Sequence, residues 1–122
     1  MKDQRGFTLV ELITVVAILG VLATIAIANF SSYKGNAHDA SAKSTLHNAI
    51  LAQEAYYVDE NSYTTDQSIL ESNYALKVSE GVTLTIDPDH TNVDEYRMTA
   101  THSSSQSVYR IDGPGGTIEK IQ

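Results

Sequence analysis

The sequence contains no cysteine among its 122 residues. No disulfide can therefore close the C-terminal part of the chain, and pairing between strands must hold that region together. No thiol is available as a nucleophile, no glycine-rich phosphate-binding loop is present, and no nucleophile–base pair is suggested by the spacing of the polar residues. The sequence therefore predicts a protein that is not an enzyme.

Positive charge is also scarce. Eight Lys and Arg stand against fifteen Asp and Glu, which gives a formal net charge of −7. An acidic surface argues against direct nucleic-acid binding by this chain acting alone. With one long apolar segment near its start, a chain of this length has room for a single small folded domain.

Charge is nearly absent from residues 7–28, where Glu11 is the only charged residue. As an α-helix this stretch rises about 33 Å, which is roughly the thickness of a bilayer's hydrocarbon core. Lys2 and Arg5 precede it, and positive charge there favours a cytoplasmic N-terminus. A carboxylate inside such a segment costs about 2.5–3.5 kcal/mol unless a partner compensates it. Glu11 is therefore the first candidate functional residue.

The residues at 5–11, Arg-Gly-Phe-Thr-Leu-Val-Glu, followed at once by the apolar run, resemble the leader and N-methylation motif of type IV pilins and type II secretion pseudopilins. The resemblance implies cleavage between Gly6 and Phe7 by a prepilin peptidase, which then methylates the new amine of Phe7. The apolar segment would remain as a single-pass inner-membrane anchor and later form the core of a helical homo-oligomeric filament, extracellular or periplasmic. An inner-membrane assembly platform and minor pilins are the further partners implied.

Within this family reading, Glu11 needs a positive partner, and residues 7–28 contain no Lys, Arg or His. The nearest candidate is the methylated amine of Phe7. We expect Glu11 of one subunit to receive the Phe7 amine of its neighbour, which would neutralise both charges and set the axial register of assembly.

Alternatives remain at this stage. The residues at 26–28, Ala-Ile-Ala, have the small-x-small form of a secretory cleavage site, although an ordinary signal has a shorter apolar region and no carboxylate. A type II secretion pseudopilin is a second candidate, and a monomeric membrane-anchored binding module is a third. After Tyr63 the chain lacks the proline and glycine usual in major pseudopilins, which favours a type IV pilin.

The remaining pattern predicts an α+β pilin fold. One helix should run over residues 7–58, apolar all round at first and amphipathic in its second half, because apolar or small residues recur there at steps of three and four. A short helix or turn should follow at 66–76. Alternating residues at 82–86, 96–101, 107–111 and 117–121 predict a four-stranded antiparallel sheet packed on the helix. The division expected is a leader at 1–6, a membrane and filament-core segment at 7–28, and a globular domain at 29–122.

Two details of the long helix carry further expectations. Ala28 occupies a position where most family members have a proline, and alanine keeps the backbone donor that proline lacks. The helix between Gly20 and Ala28 should therefore be intact in the isolated subunit and more ordered in a filament than in proline-containing relatives. His38 and His47 lie half a helical turn out of phase, show no metal-ligand spacing, and are expected at the surface.

One acidic cluster is a candidate calcium site, because oxygen ligands at close spacing suit Ca²⁺. It lacks the glycine and the distal glutamate of an EF-hand loop, and a solvated acidic hairpin loop is the favoured interpretation. No other cofactor is suggested. The cluster comprises Asp87, Asp89, His90, Asp94 and Glu95.

Overall fold

The computed structural model describes residues 5–122 and divides the chain into two compact units, one ending at Lys34 and the other comprising Gly35–Gln122. The first part of the expected leader, including Lys2, lies outside the described residues. The expected boundary between residues 28 and 29 separates the membrane and filament-core segment from the globular domain. It stays a prediction.

The secondary structure follows the predicted order. Helix α1 spans Leu9–Glu60 and α2 spans Gln67–Asn73. The strands are β1 (Val82–Ile86), β2 (Tyr96–His102), β3 (Val108–Gly113) and β4 (Glu119–Lys120), with a 3₁₀ turn at Pro88–His90 between the first two. The strands form one antiparallel sheet in the order β1-β2-β3-β4, so the predicted α+β pilin architecture is confirmed.

Helix α1 begins and ends two residues later than predicted. Its end is explained by Asn61, which adopts a left-handed conformation at φ 53° and donates its backbone N–H to the carbonyl of Tyr57 at 2.9 Å. Asparagine tolerates this conformation better than most residues, and the bond satisfies one of the last helical carbonyls. Strand β4 is shorter than the predicted range 117–121, because only Glu119 and Lys120 pair regularly with β3.

The core of the second unit lies between one face of α1 and the inner face of the sheet. On β2 every second residue is buried, which is the alternation expected of a strand with one solvated face. Leu46 and Met98 are fully buried at its centre. The buried apolar residues that surround them are Ala42, Ala49, Ala52, Tyr63, Leu70, Leu76, Leu84, Ile86, Tyr96, Ala100, Tyr109 and Ile111.

Tyrosines join the end of α1 to the sheet. The Tyr63 ring lies 4.8 Å from that of Tyr57 and 4.7 Å from that of Tyr96. The hydroxyls of Tyr63 and Tyr96 both donate to Oε1 of Glu54, at 3.4 Å each. Burial, together with the Glu54 carboxylate, raises the pKa of Tyr63 to about 12, so it stays a neutral donor.

Two polar side chains of α1 connect the helix to distant loops. The buried Gln53 amide donates from Nε2 to the carbonyl of Thr64 at 2.7 Å and accepts from the Thr64 N–H at 3.1 Å. At the other end of this half of the helix, Asp39 accepts hydroxyl hydrogen bonds from Ser105 at 2.5 Å, Ser107 at 3.2 Å and Tyr109 at 3.1 Å. These bonds hold the β2–β3 loop against α1.

The surface prediction for His38 is wrong. Its ring stacks on that of the buried His102, with centroids 4.0 Å apart, and its Nε2 atom is buried. The reason is helical phase: His38 precedes the buried Ala42 and Thr45 by four and seven residues, so it shares their face. His47, half a turn away, is exposed as expected.

We expect Leu46→Ala to lower the free energy of unfolding by about 2–5 kcal/mol, because it removes buried methyl groups and leaves a cavity at a site with no exposed area. The matched control is Leu51→Ala on the same helix, where the side chain is 69% exposed. Urea denaturation of the detergent-solubilised chain measures both. Equal losses in the two variants would contradict the assigned core face.

We expect Asp39→Asn to destabilise the second unit by about 1.5–3 kcal/mol at neutral pH, the size of a hydrogen bond to a charged group. The Ser105 hydroxyl, helped by Tyr109 and Ser107 and opposed by partial burial, holds the pKa of Asp39 below its ordinary value of 3.8. Because a depressed pKa stabilises the folded state only above that value, the difference between wild type and variant should shrink as the pH falls through the folded-state pKa. A difference independent of pH from 7 down to 2 would show that the carboxylate charge does not contribute.

Candidate functional site

Helix α1 starts with a reciprocal pair of hydrogen bonds between Thr8 and Glu11. The Thr8 backbone N–H donates to Oε2 of Glu11 at 2.8 Å, and the Glu11 backbone N–H donates to Oγ1 of Thr8 at 3.2 Å. The first helical bond, from the Leu12 N–H to the carbonyl of Thr8, follows at 3.2 Å. This is a capping box, in which two otherwise unpaired helix donors are satisfied by side chains. It explains why the helix begins at Leu9 rather than at Phe7.

The capping box revises the expectation that Glu11 has no partner within its own chain. Its carboxylate lies in the first helical turn, where the aligned peptide dipoles favour negative charge. Thr8 was missed in the sequence analysis although the signal was available, since a threonine followed three residues later by a glutamate before an apolar run is the pattern of a capping box. Oε2 of the Glu11 carboxylate is thereby engaged.

The apolar segment that follows is uncovered by its own chain. Its large side chains are exposed over fractions from 53% at Val15 to 72% at Leu9. Its other polar side chains are satisfied internally, because the hydroxyls of Thr14 and Thr24 donate to the carbonyls four residues earlier at 2.8 and 2.9 Å. By length and composition this part of α1 is a candidate membrane span. A helix with no unpaired backbone or hydroxyl groups is what a hydrocarbon environment requires.

The expected cleavage and methylation position lies immediately before the capped helix. Phe7 is 94% exposed, and the space beside Gly6 is open, since an added Cβ would meet no atom within 4 Å. Phe7, Val10, Glu11 and Val15 border an open apolar concavity. The structure therefore brings the three predicted site residues, Gly6, Phe7 and Glu11, to one accessible helix terminus.

The helix is continuous from Gly20 to Ala28, as expected for the isolated subunit. The physical reason is the one given by the sequence: Ala28 supplies a backbone N–H to the helical ladder, where a proline would supply none. The behaviour of this segment in a filament stays a prediction.

The acidic candidates for calcium are engaged in local turn contacts. Asp87 caps the 3₁₀ turn, accepting from the Asp89 N–H at 3.0 Å and lying 2.8 Å from Nδ1 of His90. Asp94 and Glu95 donate their backbone N–H groups to Oδ1 of Asn92. Within residues 5–122 no three His, Asp or Glu side chains converge in an arrangement that could hold a metal ion. Calcium binding stays a prediction.

Two family models together account for most of the chain. Residues 1–27 match the prokaryotic N-terminal methylation motif, and residues 28–110 match the family described as type IV minor pilin ComP, DNA uptake sequence receptor. The boundary between the two matches coincides with the end of the apolar segment.

Similar proteins include pilins and pseudopilins. The type IV wide pilus major component PilA4 of Thermus thermophilus is 37% identical over 103 residues, which cover 84% of this chain and 77% of that protein. The type IV major pilin PilA of Myxococcus xanthus is 42% identical over 61 residues, half of this chain and 28% of its own length. The type II secretion system core protein G of Pectobacterium carotovorum is 39% identical over 67 residues, 54% of this chain and 43% of its own length. The capped apolar helix, the four-stranded sheet and these similarities agree: the chain belongs to the type IV pilin family.

Proposed function

We propose that the chain is a structural subunit of a type IV pilus, assembled by packing of its N-terminal helices. The observation that carries this proposal is the uncovered apolar segment from Leu9 to Ala28. Burying a single large aliphatic side chain is worth about 1.5–3 kcal/mol, so this segment needs a membrane or other copies of itself. A membrane meets that need before assembly, and a helical bundle of many copies meets it afterwards.

The route to the filament follows from the same end of the chain. Lys2 and Arg5 keep the N-terminus cytoplasmic while the globular unit crosses the inner membrane. A prepilin peptidase then cuts between Gly6 and Phe7 and methylates the Phe7 amine. An inner-membrane assembly platform, with minor pilins, extracts the subunit into the growing filament, which is extracellular in a pilus.

The mature chain should begin at N-methyl-Phe7. Intact-mass measurement of the subunit from membranes or filaments tests this directly. Gly6→Val is a suitable blocked variant, because a Cβ at this position meets nothing in the subunit, so the variant should fold normally while remaining uncleaved. A mature chain that starts at Asn29 would instead show ordinary signal cleavage, and the filament proposal would fail.

Glu11 is proposed to receive the amine of Phe7 from a neighbouring subunit. The Thr8 N–H binds one carboxylate oxygen, Oε2, and a carboxylate has a second oxygen that can accept from another donor. Phe7 is exposed, so its amine is accessible to a second copy. Two opposite charges brought together in an apolar core compensate each other, whereas one without the other carries the full desolvation penalty. The capping box would hold the Glu11 carboxylate in place for this contact.

We expect Glu11→Leu and Glu11→Gln subunits both to fail in assembly. Deleting one partner of a buried ion pair typically costs about 3–5 kcal/mol, and the loss recurs at every subunit contact. Glutamine can still accept the Thr8 N–H and complete the capping box, so the Gln variant separates the charge from the cap. Electron microscopy of the sheared surface fraction measures the number of filaments that each variant forms.

Two controls belong to this experiment. Leader cleavage and the denaturation midpoint of the second unit should be unchanged in both variants, since Glu11 lies outside that unit. Normal filament numbers from Glu11→Gln subunits would exclude charge pairing and assign the role of Glu11 to helix capping alone.

A pseudopilin of a type II secretion system is the second candidate, favoured by the similarity to core protein G. That similarity covers about half of this chain, whereas the similarity to a pilus component covers 84%. The residues directly after Tyr63 lack the proline and glycine usual in major pseudopilins, which also favours a pilus subunit. Mass spectrometry of filaments sheared from the cell surface separates the two, because a pilus subunit would dominate that fraction and a secretion pseudopilin would be missing from it.

Direct DNA binding is not part of this proposal, although the description of the matching family includes a DNA uptake sequence receptor. Without residues 1–6 the chain keeps six Lys and Arg against fourteen Asp and Glu. On the outer face of the sheet, Arg97 donates from Nε to Oδ1 of Asp112 at 2.5 Å, and Nε of Arg110 lies 3.2 Å from Oδ2 of the same carboxylate. Their charge is thus partly neutralised by the same carboxylate, which weakens attraction to phosphate.

A further inference from the structure

Two histidine rings connect α1 to the start of the β2–β3 loop, residues 103–107. The ring of His38 on α1 stacks on that of His102, the last residue of β2, with centroids 4.0 Å apart and planes 26° apart. His102 is only 9% exposed. Its ring also packs closely against the backbone of Gly81, since a Cβ added there would lie 2.7 Å from Nε2 of His102. The His102 ring therefore contacts both α1 and the residue that precedes β1.

One hydrogen bond of the loop depends on the protonation of His102. The Ser104 backbone N–H donates to Nδ1 of His102 at 3.0 Å. A ring nitrogen that accepts a hydrogen bond carries no proton, so the neutral ring has its proton on Nε2. A proton added at Nδ1 would place two N–H groups opposite each other and break this bond. The loop conformation at Ser104 therefore requires a neutral His102 ring.

The surroundings of His38 also favour its neutral form. Nε2 of His38 is buried and has no hydrogen-bond partner within residues 5–122. A neutral imidazole donates one hydrogen, whereas an imidazolium has two N–H groups that need acceptors, and a buried N–H without an acceptor is costly. Two imidazolium rings stacked at 4.0 Å would also repel each other.

Charges of both signs lie on the segments around this stack. They are Lys34, Asp39 and Lys43 on α1, Glu80 next to Gly81, and Lys120 on β4, which acts on Asp39. Residues 103–107 are four serines and one glutamine, and Arg110 on β3 is engaged with Asp112 on the outer face of the sheet. The Asp39 carboxylate already accepts three hydroxyl hydrogen bonds. The contacts of the two rings themselves therefore decide how the stack responds to a proton.

We propose that the His38–His102 stack is a proton-sensitive catch, which holds the start of the β2–β3 loop on α1 while both rings are neutral. Uptake of a proton breaks the Ser104 hydrogen bond and separates the rings. Histidine is the side chain whose charge ordinarily changes between pH 5 and pH 8, so the catch opens in mild acid. This inference is independent of the proposed filament function.

The far end of the same loop stays attached in mild acid. The Ser105 hydroxyl, with those of Tyr109 and Ser107, holds the pKa of Asp39 below its ordinary value of 3.8, so the carboxylate remains ionised. Its hydroxyl hydrogen bonds therefore persist at a pH where the histidine stack has opened. The loop is released at residues 102–104 and retained at residues 105–107.

Urea denaturation of the detergent-solubilised chain between pH 8 and pH 5.5 tests the catch. Unfolding frees both imidazoles to take up protons that the stack excludes, so the folded state should lose stability as the pH falls. Over this range the unfolding equilibrium constant of the wild type should rise on the order of tenfold more than that of His38→Phe, which keeps a ring on His102 and removes one titrating group. The matched control is His47→Phe, the same change at an exposed histidine of α1, which should keep the wild-type pH dependence.

Amide hydrogen exchange at Ser104 reports on the loop directly. After correction for the intrinsic effect of pH on exchange, protection at Ser104 should fall about tenfold from pH 8 to pH 5.5, while protection at the buried Met98 should stay unchanged. His102→Asn offers the Ser104 N–H an acceptor oxygen that takes up no proton in this range. Protection at Ser104 should then be independent of pH.

Three results would overturn the proposal. One is an equal pH dependence of stability in the wild type and His38→Phe. Another is a wild type that becomes more stable in mild acid, because Asp39 and Glu80 would then attract the proton more strongly than the stack resists it. The third is wild-type protection at Ser104 that does not change with pH, and this measurement decides the matter even if His38→Phe fails to fold.

Discussion

The uncovered apolar helix is the constraint on which the rest of the molecule depends. The large side chains of residues 9–28 are not buried within the subunit. They therefore need an apolar environment, either a membrane or another protein surface. The polar groups of the segment fit this requirement, since Thr8, Glu11, Thr14 and Thr24 each hydrogen-bond within the helix. Glu11 is the only charged residue among residues 9–28.

The sequence allowed the architecture to be predicted because the signals were local. Alternation placed the four strands, and three-and-four spacing predicted that α1 is helical and amphipathic in its second half. Helix ends were less well predicted, since they depend on capping by Thr8, Glu11 and Asn61 rather than on hydrophobic pattern. The pattern for Thr8 was present in the sequence and could have been used.

Such local patterns could not predict contacts between residues that are distant in sequence. Asp39 meets hydroxyls 66 to 70 residues away, and which serines and tyrosine it meets depends on the path of the β2–β3 loop. His38 could have been placed by helical phase, but its stacking partner, His102, required the position of the end of β2. The processing and assembly roles proposed for Gly6, Phe7 and Glu11 rest on the family motif, because such roles concern other molecules and leave no trace in the fold of one subunit.

Asp39 and Gln53 help to hold the globular unit together by hydrogen bonds rather than by a disulfide. They attach the two ends of the amphipathic half of α1 to loops by hydrogen bonds, in a unit without a thiol. Its folding therefore requires no thiol oxidation, and a reductant in the surroundings has no disulfide in this unit to break.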